Sequence, residues 1–181
     1  MDAFEQLVSE ILWQEGYWVR TSVKVELTKE EKRAIGRPSA PRWELDLVGY
    51  CARDNVLQVV ECKSYLDSSG VHAAAFVGGN TAQANRYKLF TDDALRDVVF
   101  GRLQQQFVAM GACRENPVIR LALACGKIRN ANDRMQLETH FVDKGWVLWD
   151  EAWLRERLSR MAAGGYENQV SAVVAKLLLR K

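Results

Sequence analysis

The sequence predicts an α/β domain with a central mixed sheet flanked by helices, and three observations carry that prediction. Phe4, Leu7, Val8, Ile11 and Leu12 recur at helical spacing near the start of the chain. Residues Trp43 to Tyr65, WELDLVGYCARDNVLQVVECKSY, form two apolar runs joined by turn residues. The remainder alternates helical patterns with short apolar runs such as VIRLALA, residues 118–124. With 181 residues, 48% of them hydrophobic, the chain can bury one full core. A single domain over residues 1–181 is expected, with its core in 1–150 and a helical extension in 151–181.

Gly16 is placed to end the first helix. Glu5 and Glu10 fall on opposite edges of its apolar stripe, where either carboxylate can look along a sheet surface. For Glu5 the alternative is the ordinary role of a first-turn acid favoured by the helix dipole. Tyr17 to Leu27 alternates and is rich in valine and aromatics, which predicts the first strand. The next stretch, TKEEKRAIGRPSAPR, is polar, basic and punctuated by Gly36, Pro38 and Pro41, so a surface loop is expected, with a helical turn around Lys29 to Ile35. Arg37 and Arg42, with Arg20 and Lys24 on the strand before, gather positive charge ahead of the hairpin, where a phosphate backbone can be held. A merely solvated loop is the alternative.

Beyond the hairpin, LDSSGVHAAAFVGGN is a small-residue stretch expected to form a flexible excursion, and its His72 is expected to be an ordinary exposed side chain. A short helix follows over Thr81 to Phe90. Thr91 or Asp92 then caps a longer helix from Asp93 to Met110, with Leu95, Val98, Val99, Leu103, Phe107 and Met110 on its buried face. Gln106 shares that face and is expected to bond its amide internally. Val118 to Ala124 is a buried strand, residues 126–138 hold a further helix, and Trp146 to Trp149 is a last short strand. Asp150 caps a helix from Glu151 to Met161, and Gly164 and Gly165 break the chain before an amphipathic helix over Asn168 to Arg180. Trp146, Trp149 and Trp153 are close enough in sequence to predict one aromatic cluster.

Acids stand at chosen places in the hairpin. If Ala52 pairs with Asn55, Asp46 lies opposite Glu61; if the loop is Asp54 and Asn55, it lies opposite Lys63. In either register the two-residue period of strands puts Asp46, Glu61 and Lys63 on one face. Adjacent carboxylates repel, and the lysine or a divalent cation is needed to offset that cost.

Other chemistry is less favoured by the composition. Cys51, Cys62, Cys113 and Cys125 have no CxxC spacing, which predicts reduced, buried thiols rather than disulfides or a zinc site. A formal net charge of +2 makes any nucleic-acid surface a local one. The opening MDAFEQLVSE is acidic and no apolar run reaches membrane length, so no membrane partner is expected and the expected compartment is the cytoplasm.

A first helix bearing an acid, an Asp in the second strand and Glu-x-Lys closing the third resemble the PD-(D/E)XK nuclease superfamily. The residues are Asp46 and Glu61-Cys62-Lys63. FEQLVSEILWQEGYWVR, LDLVGY and VVECKS look most like archaeal Holliday-junction resolvases and related restriction-type endonucleases, over residues 1–65. In those proteins a glutamate precedes a Gly-aromatic pair by about three helical turns, which favours Glu5, ahead of Gly16 and Tyr17, over Glu10. Leu45 stands where the family's name has proline. The resemblance implies a restriction-endonuclease-like αβββαβ core and a metal-dependent endonuclease acting on DNA. Asp46, Glu61, the Cys62 backbone carbonyl and Glu5 would hold Mg2+, with Mn2+ as a substitute, and Lys63 would orient or deprotonate the attacking water. Arg20, Lys24, Arg37, Arg42, Ser64 and Tyr65 would hold the nucleic acid. Gln83 and Tyr87 have the spacing of a glutamine-tyrosine motif found in RecB-like members. A homodimer is also implied, although no stretch of the sequence marks an interface. The alternative is a nuclease-fold binding or assembly module without turnover.

Overall fold

Helix α1 (Ala3–Gln14) starts at a reciprocal cap: Asp2 Oδ1 accepts the N–H groups of Phe4 and Glu5, and Glu5 Oε2 accepts the Asp2 N–H at 3.2 Å. The computed structural model describes residues 2–39, 42–78, 81–165 and 167–180. Pro41 of the basic loop and Gly79 of the small-residue stretch lie outside them. Strands β1 (Trp18–Val25), β2 (Trp43–Cys51) and β3 (Val56–Lys63) follow, with α2 (Lys29–Ala34) between the first two. Helices α3 (Thr81–Ala84), α4 (Lys88–Thr91) and α5 (Asp93–Ala109) lead to β4 (Val118–Cys125), then α6 (Ala131–Lys144), β5 (Val147–Trp149), α7 (Glu151–Ala163) and α8 (Val170–Leu179). The five strands lie in sequence order; the first three are antiparallel, and β3, β4 and β5 are parallel.

Two apolar layers cover the sheet. Leu95, Val99, Leu103 and Phe107 of α5 and Leu137 and Phe141 of α6 pack on one face, against Val48, Leu57, Val59, Leu121 and Leu123. Phe4, Val8, Ile11 and Leu12 of α1, with Leu154 of α7 and Ala172 and Ala175 of α8, pack on the other, against Leu47, Val60, Cys62, Ala122 and Ala124. The strict alternation along β3 and β4 is the period-2 signature of a strand buried on both faces.

Several expectations are corrected. The stretch after β3 is no loose excursion: Val71, Ala73 and Ala75 are buried and Val71 bridges to Ile128, because the alternate small residues face the core. The expected helix over 81–90 is broken into α3 and α4, since Tyr87 turns inward against Phe76 and is buried. Met110 is exposed. The tryptophans form two groups rather than one. Trp149 stacks on Trp153 at 4.7 Å on the α7 face, while Trp146 packs edge-on against Phe90 and Phe141 on the other, since an odd spacing across a strand separates faces. The C-terminal helix is apolar on its outward side as well as its inward one.

Gln106 bonds its amide as expected, to the β1 backbone: Oε1 accepts the Glu26 N–H at 3.0 Å and Nε2 donates to the Lys24 carbonyl at 3.4 Å. The basic loop is also anchored. Thr28 and Glu31 form a second capping box, and Glu31 receives Arg102 of α5 through Nε and Nη2, the latter at 2.9 Å. Burial works to raise the Glu31 carboxyl, but the Thr28 N–H and the Arg102 guanidinium outweigh it and hold the group below its ordinary value. A depressed carboxyl adds stability above its unfolded-state pKa and loses it as pH falls through the folded one. Arg102→Gln should therefore cost about 1 kcal/mol in urea unfolding near neutral pH, and the cost should fade in acid below the carboxylate range. A cost that persists in acid would place the effect in packing instead.

Candidate functional site

The sheet forks at Asp46. Strands β2 and β3 pair from Cys51↔Val56 to Leu47↔Val60, the register in which Asp46 comes opposite Glu61. Beyond that rung β2 stays with β1 to Val25↔Trp43, and β3 stays with β4 to Lys63↔Cys125. Asp46 lies where the two prongs part. Its Oδ2 accepts the Cys62 N–H at 2.7 Å, so a side chain replaces the next ladder bond. A strand residue points its N–H and C=O to the same side, so the Cys62 carbonyl faces the fork too. The Lys63 carbonyl faces the other way and accepts the Gly126 N–H at 3.1 Å.

Strand alternation does not run unbroken through this point. Leu45 and Leu47, two residues apart, belong to opposite core layers, as do Val23 and Val19 on β1. The change of face falls at Asp46 and at Ser22, which adopts a left-handed φ of 49° and interrupts the β1–β2 pairing opposite it. The simple period-2 expectation of one shared face therefore holds for Glu61 and Lys63 alone, and Asp46 reaches them from the seam. This irregularity also separates Arg20 from Lys24.

Lys63 Nζ donates to Glu61 Oε1 at 2.5 Å, and both side chains are mostly covered. Burial first, then the charge of Asp46, pushes the Glu5 carboxyl above its ordinary value, although its bond from the Asp2 N–H pulls the other way. Burial also raises Glu61 against the pull of Lys63, with Asp46 and Glu5 adding to the rise. Burial works to lower the Lys63 ammonium, but Glu61 outweighs it and holds the group above its ordinary value. Three acids and one cation thus feel one another across the fork. Burial first, then Asp46, Glu5 and Glu61, drives the Cys62 thiol upward against the pull of Lys63, which makes it inert as a nucleophile. All four cysteines are free and buried, as expected.

Hard carboxylate and carbonyl oxygens suit Mg2+ or Mn2+. Among the described residues no three His, Cys, Asp or Glu side chains are gathered as a ready ion shell. Mg2+ commonly takes one or two carboxylates and keeps several waters, so Asp46, Glu61 and the Cys62 carbonyl satisfy its donor chemistry, with Glu5 at the margin.

The segment leaving the fork is held firmly. Tyr65, at φ 45°, turns the chain. Lys127 Nζ donates to the Ser68 carbonyl at 2.7 Å, the Val71 N–H to the Lys127 carbonyl at 3.0 Å, and buried Asp133 accepts the Ala73 N–H and both Nε and Nη2 of Arg129. Tyr65, Gln83, Arg86, Tyr87 and His72 line a cavity of about 120 Å³ immediately beyond Lys63. His72 is held there by Ser69 Oγ at 2.8 Å rather than lying loose on the surface. Burial, then a hydrogen bond with Tyr65, raises the Tyr87 phenol. Gly126, Arg129 and Asp133, which fix this segment, carry no motif; the only sequence sign was a glycine directly after an apolar strand.

The basic residues are less concentrated than expected. Arg20 lies over the Phe107 ring, Arg37 over Trp43 at 4.9 Å, and Arg42 pairs with Glu26 at 3.8 Å; Lys24 is exposed. Ser64 and Tyr65 adjoin the fork. Among the described residues no helix is long and apolar enough to cross a membrane. No protein-family model, curated protein or solved structure matches the chain.

Proposed function

We propose that the chain is a metal-dependent endonuclease with a restriction-endonuclease-like core, that it hydrolyses phosphodiester bonds of DNA, and that the fork is its active site. The observation that carries this reading is the carboxylate of Asp46 bonded to the Cys62 N–H where β2 and β3 part, with the Glu61–Lys63 pair on the adjoining strand. A purely structural network gains nothing from a mostly covered Glu61 carboxyl that burial, with Asp46 and Glu5 nearby, pushes above its ordinary value; a cation site does.

Asp46 and Glu61 would hold Mg2+ with the Cys62 carbonyl, and the ion would supply Lewis-acid polarisation of the phosphate and a more acidic bound water. Asp46 keeps its orientation through the Cys62 N–H, which leaves its second oxygen for the ion. Lys63 is protonated at neutral pH by its partnership with Glu61, so its direct contribution is a charge and a hydrogen bond to a phosphate oxygen or the attacking water. Proton removal by Lys63 would require Glu61 to be drawn away first. Ser64 and Tyr65, on the clamped segment beyond, would bear on the strand being cut, and Lys24, an exposed cation, would meet the backbone.

The second reading, a binding or assembly module without turnover, has its own support: Glu61 is satisfied by Lys63, and Asp46 bonds the Cys62 N–H. Calorimetric titration with Mn2+ separates the two. The wild type should bind the ion and Asp46→Asn should not, while keeping the same circular dichroism. A wild type that binds neither Mn2+ nor Mg2+ would remove the catalytic reading.

A further inference from the structure

We propose that the outward face of α8 is the contact between two copies of this chain, crossing antiparallel about a twofold axis near Val174. The helix VSAVVAKLLL is held against the body on one side only. Ala172 and Ala175 are buried there, Ser171 bonds Glu10 of α1 through its hydroxyl, and Gln169 accepts from Gln14 at 3.0 Å. These bonds fix which side faces out. Val170, Val173, Val174, Leu177 and Leu178 occupy that side at the i, i+3, i+4, i+7, i+8 spacing of a helix-packing stripe, and Val170, Leu177 and Leu178 are 73%, 80% and 77% exposed. No charge interrupts the stripe.

Three features favour a second copy over other occupants. With Val173 and Val174 at 45% each, the five residues present on the order of 500 Å² of surface, in the upper part of what a monomer's largest patch shows and more than half of the ~800 Å² each partner gives to a standard interface. Val174 and Leu178 also border a groove with Leu7 and Leu158 of about 480 Å³, so knobs and their receptacle lie side by side on one surface. That is the self-complementary arrangement a twofold contact requires. A lipid-surface helix carries a basic polar face opposite its apolar one. The side of α8 opposite the stripe is instead buried on the protein at Ala172 and Ala175, and the single charge of the helix, Lys176, bonds the Gly165 carbonyl.

Sedimentation of the full chain at roughly 100 μM, above the micromolar Kd that an interface of this size permits, should give a dimer of the 20.6 kDa chain. The double substitution Leu177→Glu with Leu178→Glu should return it to monomer with unchanged circular dichroism. As a check independent of that variant's folding, Val174→Cys should form an intersubunit disulfide under mild oxidation, because the native thiols are buried, whereas Val118→Cys, exposed at the start of β4, should not. A wild type that is monomeric throughout, a dimer that survives the glutamates, equal cross-linking at both positions, or a monomer that floats with anionic phospholipid vesicles would overturn the proposal.

Discussion

Lys63→Ala should cut DNA at least ~100-fold more slowly than the wild type while binding Mn2+ with undiminished affinity. Lys63 is paired directly with an acid of the fork, through Glu61 Oε1. Its loss removes the charge that would face the phosphate, yet leaves every proposed oxygen donor to the ion in place. It also relieves Glu61 of a competing partner, so ion affinity should hold or rise. Asp46→Asn should do the reverse at the first step, losing the ion and cleavage together. Single-turnover cleavage measured beside a Mn2+ titration on the same preparations gives both quantities. Equal loss of ion binding in the two variants would contradict the roles assigned.

Gly126→Ala should destabilise the fold by about 3 kcal/mol or more, among the larger effects a single methyl can have. A Cβ at this position would fall 2.3 Å from the Ser64 carbonyl oxygen and 2.8 Å from Leu66 Cδ2. The leucine can rotate away; the carbonyl cannot, because the Gly126 N–H is bonded to the Lys63 carbonyl next to it and the segment beyond is clamped by Lys127 and Val71. The clash must push the β3 end away from the β4 end, and Lys63 and Ser64 move with it. Urea unfolding should show the loss, and residual cleavage at a temperature where the variant stays folded should be reduced as well. Gly101→Ala, in open space on α5, should cost nothing and should gain slightly from helix propensity.

Much of the architecture was legible because periodicity carried it. Phe4, Val8, Ile11 and Leu12 are all buried as their spacing requires, the caps at Asp92 and Asp150 hold, and the hairpin takes one of its two countable registers. Glu5 was legible in both its guises: it closes the helix cap, and it also feels Asp46.

What escaped the sequence were features set by pairs of segments meeting. The change of face at Ser22 and Asp46 leaves no mark in composition, since a serine in a strand announces no left-handed φ. Val71, Ala73 and Ala75 looked like a loose loop because small residues bury little area singly; only the bridge to Ile128 and the Asp133–Ala73 bond give them a place. Arg20, Arg37 and Arg42 looked like one basic surface until Phe107, Trp43 and Glu26 each engaged one of them. The apolar stripe of α8 was mistaken for an ordinary amphipathic one, because spacing shows that a face is apolar and not which side the body covers.

The claim that the fork of β2 and β3 is a metal-dependent nuclease site is tested most directly by incubating the wild type with supercoiled plasmid and with a branched DNA junction, with Mg2+ and with chelator. Cleavage of either substrate that requires the ion and disappears in Asp46→Ala is the predicted result. DNA that binds equally with and without the ion and is never cut would contradict it, and would leave the fork as a structural network in a binding module.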